Sequence, residues 1–119
     1  MVLIARALAV KPHILVLDEP ESNLDFKNQL IILETMQRLT EKGMICIFNT
    51  HYPAHALQYA NRALMLGREG KPLFGKAEDV VTEEHLAQAF GVRALVHSVQ
   101  TPFGTVRDVL PLYVLKEKP

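Results

Sequence analysis

An excess of charge of either sign is the first thing this 119-residue sequence lacks: 13 Lys and Arg face 13 Asp and Glu, for a formal net charge of zero. A neutral chain gives no electrostatic case for a nucleic-acid or anionic-membrane surface. Cysteine is nearly absent as well. Cys46 stands alone, which excludes an internal disulfide framework and a cysteine-rich zinc site and makes a reducing compartment the default. No apolar run approaches the ~20 residues that a membrane span needs. Arg6 interrupts the apolar opening Met1-Val2-Leu3-Ile4-Ala5, and no polar stretch with a cleavage site follows, so the opening does not read as a signal peptide. Repeats, low-complexity tracts and Gly/Ser-rich linkers are missing too. What is there is ordinary globular composition, 49% hydrophobic and 22% charged, which argues against disorder. The length fits one domain, with roughly two-thirds of its surface removed from water.

Along the chain, Val2 to Val10 is rich in Ala, Leu and Ile and reads as a short buried helix closed by Lys11-Pro12. Ile14-Leu15-Val16-Leu17 is a continuous apolar run that suits a strand covered on both faces, as in a parallel sheet. A long amphipathic segment follows from about Phe26 to Lys42. Phe26, Leu30, Leu33 and Gln37 lie at helical spacing, and Ile32, Met36 and Leu39 widen the apolar face. Asp25 suits the N-cap and Gly43 the C-terminal stop. Met44 to Phe48 reads as a second buried strand, Pro53 to about Ala60 as a short helix, and Ala63 to Leu66 as a third strand. Strand, helix, strand, helix, strand in that order implies parallel strands joined by right-handed crossovers. Beyond Gly67 the style changes. Pro72-Leu73-Phe74 suits a hairpin, Glu83 to Phe90 a helix, and Val92 to Leu115 a β-hairpin turning near Pro102-Phe103-Gly104, an appendage to the α/β core.

Two constellations could carry chemistry. In the first, Asp18-Glu19-Pro20 sets adjacent carboxylates directly after an apolar strand, where they are costly unless something uses them. At the carboxyl end of a parallel strand they face the crevice where α/β sheets bind ligands. In phosphate-hydrolysing enzymes such an Asp holds the magnesium shell and a neighbouring Glu orients or deprotonates the attacking water. Spacing alone leaves a polar strand-ending turn equally open. The second is Asn49-Thr50-His51, after the second strand. If the two strands are parallel neighbours, His51 comes near Asp18 and Glu19, and an imidazole there can donate to a terminal phosphate oxygen. By itself it reads as a loop histidine before a Pro-started helix.

Three other features weaken on inspection. His51 and His55 are four apart, but Pro53 intervenes and the sequence offers no further zinc ligands in a clear set. Gly70 to Ala77 nearly matches the phosphate-cradling GxxxxGK followed by Ser or Thr, yet Ala77 lacks the magnesium-binding hydroxyl, and Glu78 and Asp79 put carboxylates where anions would sit. Cys46, among Ile45, Ile47 and Phe48, reads as a small buried hydrophobe.

Taken together, Leu3-Ile4-Ala5-Arg6-Ala7-Leu8-Ala9, Pro12 and Ile14-Leu15-Val16-Leu17-Asp18-Glu19-Pro20 resemble the second half of an ABC-type ATPase subunit. In that family the helix with Ala5-Arg6-Ala7-Leu8 follows the LSGGQ signature. The strand ending in Asp18-Glu19-Pro20 is similar to the Walker B motif, Ser22-Asn23-Leu24-Asp25 to the D-loop, and His51 to the switch histidine. Leu24 to Gln29, His55-Ala56-Leu57, Val80-Val81-Thr82 and Phe90-Gly91-Val92 are similar to the importers of iron–siderophore complexes and cobalamin. The pattern departs from the family at Glu21, where Thr is commonest, and at Asn23, where Ala is more usual; an extra carboxylate beside Glu19 is expected to disturb the local electrostatics.

The resemblance implies a partial P-loop NTPase core of parallel strands with flanking helices, the Walker A half missing. Residues 1–91 are expected to form the carboxyl-terminal half of an ABC ATPase domain and residues 92–119 a β-rich extension. In the intact protein it implies ATP and Mg²⁺ as cofactors, with Asp18 holding Mg²⁺ through water, Glu19 acting on the water and His51 meeting the γ-phosphate. Ser22, Leu24 and Asp25 of the D-loop couple the two sites of a head-to-tail dimer. The implied partners are a second ATPase subunit, membrane permease subunits and, indirectly, a substrate-binding protein, with no nucleic acid. The implied location is peripheral, at the cytoplasmic face of the cell membrane. No Walker A loop, Q-loop segment or LSGGQ occurs in the chain, so it is expected to be a fragment that does not hydrolyse ATP by itself. Two alternatives stay open: a non-catalytic interaction or dimerisation module derived from such an ATPase, and an ABC-type ATPase of a non-transport system.

Overall fold

The computed structural model describes residues 13–67 and 70–116; the expected helix over Val2 to Val10 lies outside them. The chain divides after His51 into two compact units.

The first unit is a strand–helix–strand. β1 (Ile14–Asp18) and β2 (Ile45–Asn49) run parallel, paired from Ile14 with Ile45 to Asp18 with Asn49. Between them lies α1 (Phe26–Glu41), the crossover that a parallel pair requires. Asp25 caps it as expected, its Oδ1 accepting from the Asn28 N–H at 2.9 Å, and Lys42 and Gly43 (φ 94°) end it. Its buried face consists of Ile32, Leu33 and Met36. The expected face is therefore rotated: Phe26, Leu30 and Gln37 are exposed, because the sheet contact selects the row through residues 32 and 36. Leu17, Leu24, Cys46 and Phe48 pack on that row. The strands were expected to be covered on both faces, and among the described residues only one face is. Leu15 is buried, whereas its neighbours Ile14, Val16, Ile45 and Ile47 are all more than half exposed, since successive strand side chains point to opposite faces and α1 covers one.

The second unit starts with α2 (Pro53–Tyr59), with Pro53 in the first turn, where its missing N–H is not needed. β3 (Arg62–Met65) follows, but not as a third parallel strand: it pairs antiparallel with β4 (Leu73–Lys76), Arg62 opposite Lys76 and Met65 opposite Leu73. A few intervening residues suffice for antiparallel return, so the shorter connection wins over a crossover. α3 (Ala77–Val80) and α4 (Glu83–Phe90) come next. Thr82 caps α4 by accepting from the His85 N–H, and Gly91 closes it in the left-handed region (φ 64°). β5 (Val92–Thr101) and β6 (Gly104–Val114) then form the expected hairpin, turning at Pro102-Phe103. The core of this unit is Met65, Val80, Val81, Leu86, Ala89 and Ala94, with Val96 and Val109 of the hairpin packed on it. Close packing also fixes Gly67: a Cβ there would lie 2.9 Å from the Ala89 Cα, nearer than side chains tolerate.

Candidate functional site

Parallel register brings both chemistry-bearing segments to one edge of the first unit. Asp18 and Asn49 are partners at the last rung, so Glu19 and His51 leave the sheet side by side. His51 Nε2 lies 2.7 Å from Glu19 Oε1, a hydrogen bond between the base candidate and the histidine candidate. His51 is otherwise open, its side chain 80% accessible, while Glu19 is about one-third accessible. The conditional reading of the sequence, that neighbouring parallel strands bring His51 to the carboxylates, matches this geometry.

Glu19 is held in an unusual backbone state, with φ at 43°. A non-glycine residue there costs about 1–2 kcal/mol. Three bonds enforce it. Its N–H donates to Asn49 Oδ1 at 2.7 Å, its carbonyl accepts from the Ser22 N–H at 3.0 Å, and its carboxylate meets His51. The Glu19–Ser22 turn suits Pro20, whose fixed φ is pre-set for the second turn position. Strain that the surroundings over-determine is characteristic of working residues.

The rest of the D-loop segment is anchored rather than loose. Asn23 takes φ 61°, a state asparagine tolerates better than most residues. Leu24 is half-buried against Ile32 and Met36, and Asp25 spends one carboxylate oxygen on the α1 cap. Asp18 is exposed at the strand end, free of the core.

Sequence reasoning missed two residues here. Asn49 was grouped with His51 without a task, yet it fixes the Glu19 amide. Glu21 stands out in the sequence only as an extra carboxylate close to Glu19, without a partner assigned to it. It is completely buried and accepts from Thr50 Oγ1 at 2.7 Å, tying the loop after β1 to the loop after β2. A buried carboxylate is tolerable only when hydrogen-bonded. The signal was Thr50, a hydroxyl one residue past the last rung, but only the register aligns it with Glu21.

The set-aside features resolve as follows. His55 sits on α2 against Tyr52, ring centroids 4.9 Å apart, while His51 is engaged by Glu19. The GxxxxGK look-alike is a strand: Leu73–Lys76 is β4, with Gly75 and Lys76 in its ladder, as the hairpin reading expected. Cys46 is half-buried on α1, 3.9 Å from the Met36 carbonyl, and burial pushes its thiol pKa up.

The donor set at the sheet edge can meet a hydrated magnesium ion and a phosphate oxygen, since Mg²⁺ commonly takes one or two carboxylates and completes its shell with water and phosphates. Asp18 and Glu19 supply such carboxylates. Among the described residues no group of three or more metal-binding side chains forms a closed cage. No Gly-rich loop opening into a helix is present among them to cradle a triphosphate.

Comparison with known proteins gives a consistent picture. The chain is 32% identical over 114 residues to the molybdate import ATP-binding protein MolC of Haemophilus influenzae, covering 95% of this chain and 45% of MolC. It is 34% identical over 108 residues to the petrobactin import ATP-binding protein FpuC of Bacillus anthracis, covering 89% of the chain and 40% of FpuC. A solved chain, described as a metal-chelate type ABC transporter in an inward-facing conformation, superposes with a TM-score of 0.88 at 33% identity, over 94% of this chain and 45% of that one. No family model matches. The chain thus spans less than half the length of these relatives.

Proposed function

Because the chain belongs to the ATP-binding proteins of ABC transporters, we propose that it is part of the ATP-hydrolysing subunit of an importer that takes up a metal chelate such as an iron–siderophore complex or cobalamin. Residues 1–91 are assigned to the ATPase domain and 92–119 to an appended β extension. The petrobactin import ATP-binding protein and the metal-chelate type structure support this substrate class.

The observation that carries the reading is the Glu19–His51 pair, held 2.7 Å apart at the shared carboxyl edge of parallel strands. When bound, MgATP supplies the phosphoanhydride bond and the charge of the metal. Asp18 would hold the metal through water. Glu19, fixed by Asn49 and Ser22, accepts the proton of the attacking water. His51 aligns the Glu19 carboxylate through Nε2 and, as an imidazolium with its second ring N–H available, would donate to the terminal phosphate. Ser22, bonded to the Glu19 carbonyl, and Leu24 and Asp25, anchored on α1, report the state of this edge to a second ATPase subunit. The further partners are membrane permease subunits, with a substrate-binding protein acting indirectly, and the place of work is the cytoplasmic face of the membrane. No helix among the described residues is long and apolar enough to cross a membrane, which suits a peripheral subunit.

The phosphate cradle and its lysine are the missing counter-charge for a triphosphate. The isolated 119-residue chain is therefore expected to bind MgATP weakly and not to turn it over. Sequencing the DNA immediately upstream of the Met1 codon tests the assignment. An in-frame extension encoding GxxxxGK with Ser or Thr, then LSGGQ, is expected. A stop codon close upstream, behind a ribosome-binding site, would overturn the catalytic roles and leave an interaction module.

A further inference from the structure

The second unit carries an open surface concavity that the proposed ATPase chemistry does not use. Its volume is about 370 Å³, within the size range of small-molecule sites. Arg62, Lys76 and Arg107 line it, against the single carboxylate of Glu78, so the wall carries a net charge of two positive units. Arg62 and Lys76 are direct cross-strand partners in the β3–β4 pair, so both side chains leave the same face. Like charges placed opposite each other destabilise a sheet, and a counter-anion between them removes that cost. Glu78 forms a loose ion pair with the third cation, its Oε2 3.8 Å from Arg107 Nη1, and leaves the Arg62–Lys76 pair of like charges uncompensated within the lining.

The walls are braced from behind. Gln58 Nε2 donates to the Arg107 carbonyl at 2.8 Å, and the Ala77 N–H donates to the Asn61 carbonyl at 3.1 Å. Two guanidinium groups and an ammonium thus belong to the lining of one concavity. Guanidinium forks match the paired oxygens of phosphates and carboxylates, and the ammonium adds a point charge.

We propose that the cavity bounded by Arg62, Lys76 and Arg107 is a binding site for a small oxyanion carrying about two negative charges, matched to the wall's net charge. The oxyanion is a phosphate or a polycarboxylate, two sources of the same chemistry. The site does not depend on the ATPase reading, since none of its residues belongs to the Glu19–His51 edge.

The test is calorimetric titration of the chain with inorganic phosphate and, separately, with citrate, at pH 8 and low salt. Saturable binding of one or both is expected, weakening as salt is raised. Binding of phosphate only identifies a phosphoryl ligand, and of citrate only a carboxylate ligand. Arg107→Gln and Lys76→Gln should each weaken binding about tenfold, the loss of one charge-assisted contact. Glu78→Gln should tighten it about threefold by removing the competing carboxylate. Lys27→Gln, on exposed α1 surface, should change nothing. Lys76 is exposed in its strand, so its variant keeps the test decisive where Arg107→Gln folds poorly. Failure of both probes to saturate, or an equal loss in Lys27→Gln and Lys76→Gln, overturns the proposal.

Discussion

The two units of this chain bury their apolar residues by different means. The second closes on itself: antiparallel pairs and short helices enclose Met65, Val80, Val81, Leu86, Ala89 and Ala94 from partners close in sequence. The first cannot. Among the described residues its parallel pair is covered by α1 on one side only, and the opposite face presents Val16 at 70% exposure beside Ile14, Ile45 and Ile47. Antiparallel hairpins need only a turn to complete themselves, whereas parallel strands need helices on both faces. The unit that carries the proposed chemistry is thus also the one whose sheet has cover still to gain. The relatives are more than twice as long as the span they share with this chain.

That contrast can be sharpened by substitution. The largest effect is expected at Glu19. In a protein extended to include the phosphate loop, Glu19→Gln should lower steady-state ATPase activity by about 10²–10⁴-fold with folding intact, the range for loss of a general base. A smaller loss would remove Glu19 from the chemistry and leave its strained backbone as a structural feature only.

Next comes packing. Leu86→Ala in the closed unit should cost about 2–5 kcal/mol in urea unfolding, since Leu86 is buried at 3% exposure. Val16→Ala in this chain should stay within about 0.5 kcal/mol, as expected of an exposed position. The same Val16 substitution in the extended protein should become as costly as a core truncation. Equal costs for Val16→Ala in both would break the comparison, because the open face would then have no cover to gain.

Backbone and cap effects are smaller. Gly91→Ala forces a Cβ into the left-handed region that ends α4, costing about 1–2 kcal/mol by thermal or urea unfolding. Asp25→Ala removes the α1 cap for about 1 kcal/mol.

The smallest effect concerns Cys46. Burial raises its thiol pKa in the folded state, so the unfolded chain loses that proton first as pH rises. Cys46 therefore contributes a slight loss of stability with rising pH that begins near the unfolded thiol's value, about 8.5. It should vanish in Cys46→Ala, as read by the difference in urea midpoint between pH 7 and pH 9.5.

Much of this is legible in the sequence. The cap at Asp25, the stop at Gly43, the helix over Glu83 to Phe90 and the hairpin turning at Pro102-Phe103 rest on local chemistry that a few adjacent residues encode. The pairing of Glu19 with His51 followed from one topological assumption, parallel neighbouring strands, and that assumption holds. The third strand was misread because an apolar run of four does not state its partner, and the nearer antiparallel return prevailed. The α1 face was misread because apolar residues at positions 26, 30, 32, 33, 36 and 39 cover more than one side of a helix, and only contact with Cys46 and Phe48 selects among them.

The sequence by itself therefore determined the order of the elements, their caps and turns, and the segments able to carry phosphate chemistry, because these depend on residues within a turn or two of each other. The tertiary structure decided the rest. Asn49 grips the Glu19 amide across 30 residues, Thr50 binds the buried Glu21 across 29, and Arg107 joins Arg62 and Lys76 around one cavity. Which polar groups meet over such separations depends on strand register and packing, and neither periodicity nor propensity specifies those.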